Sequence, residues 1–223
     1  MNHFIPISIG LWVSLCLPNF ALASPPQTQH STNLTQTDRP DLSKLKARLQ
    51  ARDWQAADAE TRRILETWVH PDGNIYATPV VNNIPLDTLQ TLDRLWSQAS
   101  DGRFGFSAQL QIWKAASEEH PNDSKAAVRA FGDRVGWTRP LQDDINFTAP
   151  DWLTERELNY SPDAPAGHLP WIGIDWERIE SLLNEPGCGS CTIDVLYLQG
   201  ERFYRYLPPL LARVEMVVCN NLT

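Results

Sequence analysis

Apolar side chains recur three and four positions apart through much of residues 41–135, the spacing of helices that bury one face. Residues 41–52 put Leu42, Leu45 and Leu49 on a single stripe, with Asp41 placed to cap it. Residues 54–69 repeat the pattern through Trp54, Ala57, Thr61, Ile64, Leu65 and Trp68. The short break between these two segments predicts neighbouring antiparallel helices. Pro71, Asp72-Gly73, Pro79 and Asn82-Asn83 make residues 70–84 a loop. A third helix follows from Pro85 to about Ala99 with Leu86, Leu89, Leu92 and Leu95, and a fourth runs over residues 107–117 with Ile112 and Trp113. A fifth opens at the cap Asn122-Asp123-Ser124 and closes at Gly136.

The last third reads differently. Residues 138–160 are irregular, residues 164–170 (APAGHLP) form a loop, and residues 175–183 suit a short helix. Residues 192–198 (TIDVLYL) and 202–207 flank Gln199-Gly200 with runs that predict a small β-hairpin. Pro208 then opens a terminal helix bearing Leu210, Leu211, Val214 and Val217. The expected fold class is all-α: a compact helical domain over residues 40–219 with a long C-terminal loop, the small hairpin and the terminal helix.

The most informative stretch is residues 92–109, LDRLWSQASDGRFGFSAQ. A helix breaks at Asp101-Gly102, and Arg103, Phe104 and Phe106 occupy the turn before the next helix begins. An arginine with two phenylalanines on a glycine-rich connector suits a concave apolar surface with a cation at its rim. Together with Trp54-Gln55-Ala56-Ala57-Asp58 followed by Thr61, with Val135-Gly136-Trp137 and with APAGHLP, this turn resembles the genomes-uncoupled-four domain. The terminal PPLLARVEMVVC matches that family more loosely. Asp58 and Thr61, three apart on one helix face, read as a structural hydrogen-bonded pair.

The resemblance implies an all-helical, non-enzymatic domain that binds protoporphyrin or magnesium-protoporphyrin and stimulates magnesium chelatase in chlorophyll synthesis. A porphyrin is an apolar disc with carboxylates on one edge, so it calls for apolar walls and for cations at the mouth. Trp96, Phe104, Phe106 and Ile112 are the candidate walls, and Arg103 is a candidate at the mouth. The family's pocket is also cupped by the loop after GHLP, here residues 171–207. That loop supplies Trp171 as the candidate lid, with Trp176, Arg202 and Arg205 as further contacts. His168 reads as a hydrogen-bonded histidine rather than an iron ligand. No nucleophile elbow, phosphate-binding glycine loop or HExxH sequence is present, and no cofactor is required beyond a bound porphyrin.

Composition narrows the partners. A formal charge of −8 argues against a nucleic-acid surface, which needs clustered Lys and Arg. Nine tryptophans suit a flat ligand, although each one taken singly is better explained as core. Residues 4–18 are almost wholly apolar, and Ala21-Leu22-Ala23 supplies a small-x-small cleavage pattern, so residues 1–23 read as a signal peptide. An uncleaved membrane anchor is the alternative; after cleavage no stable membrane span remains. Residues 24–39, rich in Ser, Thr, Gln and Pro, read as a disordered tether. Export to a periplasm or thylakoid lumen would separate the chain from ATP-dependent magnesium chelatase, leaving that partner available only to a chain that stays inside.

Two other functions stay open. One is a ligand-free interaction module of the cell envelope. The other is a thiol-disulfide oxidoreductase using Cys188 and Cys191, although the strand expected after Cys191 denies them the helix N-terminus that activates such thiols. In an oxidising compartment Cys188, Cys191 and Cys219 predict one disulfide and one leftover thiol. A bridge from Cys219 to Cys188 or Cys191 is preferred, because it staples the loop to the last helix.

Overall fold

The computed structural model describes residues 40–74, 77–139, 152–184 and 191–220. The chain divides into two compact units, Met1–Thr37 and Asp38–Thr223, and every described residue lies in the second. The expected leader and tether therefore lie outside the described residues, as does Cys188.

Seven α-helices and no strand occur among the described residues: α1 (Ser43–Gln50), α2 (Trp54–Val69), α3 (Leu86–Ala99), α4 (Phe106–Glu119), α5 (Ser124–Val135), α6 (Trp176–Leu183) and α7 (Cys191–Asn220). The fold is all-α. Local chemistry sets most of the ends. Asp53 caps α2 by accepting the Ala56 N–H at 3.2 Å, and Asp123 caps α5 through Ala126 at 2.9 Å. Gly136 ends α5 in the left-handed region (φ 73°), with its N–H turned back to the carbonyls of Gly132 and Asp133. Asp41 binds the Ser43 N–H at 2.9 Å from outside α1, whose N-cap is Leu42.

The hairpin is the expectation that the structure overturns. Residues 191–220 form a single helix that runs through Pro208 and Pro209, where the sequence pattern placed two strands and a new helix start. The reason is burial. Phe203, Tyr206, Leu207, Leu210, Leu211, Val214 and Val217 keep helical spacing across the prolines, and all are buried. Each interior proline removes a helical hydrogen bond and costs ~3 kcal/mol. Burial of this stripe offsets that cost, because α7 packs on α3, α4, α5 and α6 and is the element the others share.

Tryptophans build the core around it. Trp54, Trp96, Trp137, Trp152 and Trp171 are buried, while Trp68, Trp113 and Trp176 are partly so. Trp152 stacks on Phe203 of α7 at 4.2 Å between ring centroids, and Phe104 meets Trp54 edge-on at 5.4 Å. Among the described residues, no helix is long and apolar enough to cross a membrane.

Candidate ligand-binding site

The two motif segments form one another's frame. The Gly105 N–H donates to the Leu169 carbonyl at 2.9 Å, and the Gly167 N–H donates to the Arg103 carbonyl at 2.8 Å. Arg103 itself clamps the pair, with Nε on the Ala164 carbonyl (2.8 Å) and Nη2 on that of Asp163 (3.2 Å). From α4, Gln109 Nε2 reaches the carbonyls of Gly167 (3.0 Å) and Pro170 (2.7 Å). His168 sits inside this frame. Its Nδ1 lies 2.6 Å from the Val135 carbonyl and so carries the proton, while Nε2 accepts the Asn159 N–H at 3.1 Å. Both ring nitrogens are thus engaged, and burial holds the imidazole pKa below its ordinary value.

Asp58 and Thr61 are structural, but they do not bond to each other. Thr61 Oγ1 donates to the Ala57 carbonyl (2.9 Å) and accepts from Trp96 Nε1 (3.0 Å). Asp58, fully buried, accepts the Trp171 N–H at 2.7 Å through one oxygen and pairs with Arg62 through the other. Arg62 continues to Glu155 at 2.6 Å and lies over the Trp171 ring at 5.2 Å. Burial pushes the Asp58 pKa up against the pull of Arg62. The two carboxylates keep Arg62 firmly cationic against its own desolvation.

Arg62 is where this network reaches an opening. A cleft of about 660 Å³ lies between the C-terminal half of α2 with the turn after it and residues 173–178. Ala59, Arg62, Arg63, Glu66, Thr67, His70, Pro71 and Gly73 line one side. Gly173, Ile174, Asp175, Glu177 and Arg178 line the other, with Glu155 and Arg202 completing it. Gly173 can be nothing larger, since a Cβ there would sit 2.1 Å from the Trp171 ring. Arg202 is buried at the wall: its Nε donates to the Ile172 carbonyl at 2.6 Å, its Nη2 pairs with Glu66, and its guanidinium lies over the Tyr206 ring at 5.0 Å. Glu66 also contacts His70 Nδ1 at 2.8 Å. Burial alone would raise the Glu66 pKa, but His70 and Arg202 more than reverse this and bring it to about 2.

The structure therefore separates the residues the sequence grouped. Trp96, Phe104, Phe106 and Trp171 are interior side chains and do not line the cleft, so Trp171 backs the wall rather than covering the mouth. Ile112 is half-buried on α4, where it packs against Gly167. Trp176 is half-buried beneath the Arg156 guanidinium, 4.7 Å from its ring centroid. Arg205, expected with Arg202 as a ligand contact, is exposed, pairs with Glu201 one turn back at 3.3 Å and does not line the cleft. Of the predicted contacts, Arg202 alone lines this cleft. Cys191 is the first residue of α7, so the strand expected beyond it is a helix. Arg62, Glu66 and His70 were missed, although Asp58, Arg62, Glu66 and His70 recur every four residues, a polar ladder along one face of α2 to its C-cap.

An all-helical domain with a polar cleft beside a tryptophan-rich core is the class these features define. A family model described as GUN4-like matches residues 35–185, and the chain belongs to that family. It is 33% identical over 127 residues to the chloroplastic tetrapyrrole-binding protein of Arabidopsis thaliana, a match covering 53% of this chain and 43% of that one. It is 29% identical over 152 residues to the Ycf53-like protein of Synechocystis, covering 66% and 58%. The chain thus spans less than two thirds of these relatives. GUN4 from Chlamydomonas reinhardtii aligns over 60% of this chain and 82% of its own, at 28% identity and a TM-score of 0.45.

Proposed function

We propose that this chain is a non-enzymatic tetrapyrrole-binding protein, a carrier or regulator, that holds protoporphyrin or its magnesium form at the cleft between α2 and residues 173–178. Family membership and the designation of the Arabidopsis relative support the ligand class. The observation that carries the reading to this site is the cleft itself. Its volume of about 660 Å³ lies inside the ~300–1,000 Å³ range of small-molecule sites, and Arg202, predicted as a propionate partner, lines it. Arg62 and Arg178 add further cations, while Ala59, Pro71, Gly173 and Ile174 give apolar surface for a macrocycle edge. Trp171 supports the wall from behind, under Arg62 and against Gly173.

The place of action follows from the leader. A chain cleaved after Ala23 works in a periplasm or thylakoid lumen and has no access to magnesium chelatase, while an uncleaved chain remains membrane-anchored. N-terminal sequencing of the mature protein decides between them. For the ligand, the test is titration of the purified chain with monomeric protoporphyrin IX. The expected result is a shifted Soret band with quenching of tryptophan emission. A flat titration of the folded protein would overturn the proposal.

A further inference from the structure

The ligand just proposed bears carboxylates, and the cleft already contains its own. Four arginine and four acidic side chains line it, so, His70 aside, its formal charge is zero. The two buried arginines, Arg62 and Arg202, are each held by a carboxylate, so a dianion gains either of them only by taking it from a resident acid.

The two deep arginines differ in how firmly they are claimed. Arg62 is held by Asp58, which is fully buried and also accepts the Trp171 N–H at 2.7 Å, so this carboxylate has no room to withdraw. Arg202 is fixed independently of its acid, because Nε is seated on the Ile172 carbonyl at 2.6 Å. Its acid, Glu66, is 32% exposed and has a second partner in His70 Nδ1 at 2.8 Å. Glu66 can therefore turn away from Arg202 toward solvent without losing all its hydrogen bonds, and Arg202 stays in place when it does.

We propose that Glu66 is a resident counter-carboxylate for Arg202, and that an acidic ligand binds by replacing it. Glu66 then sets how strongly the cleft distinguishes free-acid ligands from esterified ones. This rests on the cleft being the tetrapyrrole site.

The test titrates the full chain with protoporphyrin IX and with its dimethyl ester. Glu66→Gln removes the competing charge, so affinity for the free acid should rise about tenfold, the equivalent of ~1.4 kcal/mol. Ester affinity should stay within about twofold, since no exchange occurs on an ester. Adding Arg202→Gln should abolish the gain. Should Glu66→Gln lose helical circular dichroism, Glu66→Asp, which draws the carboxylate back by ~1.5 Å, is read in the same direction. Free-acid affinity that is unchanged or weaker in the Glu66 variant, or a gain shared equally by the ester, would overturn the proposal while leaving the site standing if Arg202→Gln alone weakens the free acid. Wild-type affinity for both ligands in Arg202→Gln would instead reject the site.

Discussion

Asp58→Ala tests the polar network behind the cleft most severely. The substitution leaves two buried donors short of an acceptor: the Trp171 N–H, held at 2.7 Å, and the Arg62 guanidinium. An unsatisfied buried amide costs roughly 1–3 kcal/mol, and an ion deprived of its buried partner roughly 3–5 kcal/mol. Arg62 keeps Glu155 at 2.6 Å, and removal of Asp58 also removes that residue's own desolvation cost, so both contributions fall toward their lower ends. The expected loss is about 4 kcal/mol. Asp58→Asn keeps an acceptor for Trp171 and should cost about half as much. Urea unfolding followed by far-ultraviolet circular dichroism and tryptophan emission measures both. Combining Asp58→Ala with Arg62→Met should cost clearly less than the two single losses added, because the orphaned charge is gone. An Asp58→Ala protein within ~1 kcal/mol of wild type, or an asparagine variant as damaged as the alanine one, would refute the reasoning.

Three further outcomes follow from the same geometry. Gln109→Leu strips the amide donor from the Gly167 and Pro170 carbonyls and should cost ~2–4 kcal/mol in the same unfolding assay. Gly136→Ala forces a Cβ onto a residue at φ 73° and to 3.2 Å from Pro165, for a loss of ~1–2 kcal/mol, whereas substitution at exposed Asp72 should be near neutral. The Glu66 carboxyl falls from an ordinary 4.5 to about 2 on folding, so its contribution is complete above the ordinary value and is lost as pH drops from there through about 2. Glu66→Gln should flatten that part of an acid-unfolding curve, and an unchanged slope would show that Glu66 does not carry it.

Much of the fold was legible in residue spacing because α2, α3 and α5 each pair a clean apolar stripe with a local end signal. The failure at α7 has a physical cause. Aromatic and β-branched residues favour strands and Pro208 signals a break, but neither signal registers that Phe203, Tyr206, Leu207 and Leu210 share one buried face. The site was less legible for a related reason. Aromatic residues on a turn read as ligand walls, whereas Phe104 and Phe106 point inward and are held there by the loop that bonds across them. Arg62, Arg63 and Glu66, which do line the cleft, stand on an ordinary helix, and charged helix positions are normally assigned to water.

The zipping of residues 103–105 onto residues 163–169 has a consequence for how related chains are compared. These segments act as a latch for the scaffold, joining the turn before α4 to the loop at residues 163–169. If the cleft is the ligand site, two chains with the same latch can still differ in what they hold through Arg62, Glu66 and His70. Under the proposal that the cleft holds the ligand, binding preference among related chains would be read at those positions on α2 and at Arg202.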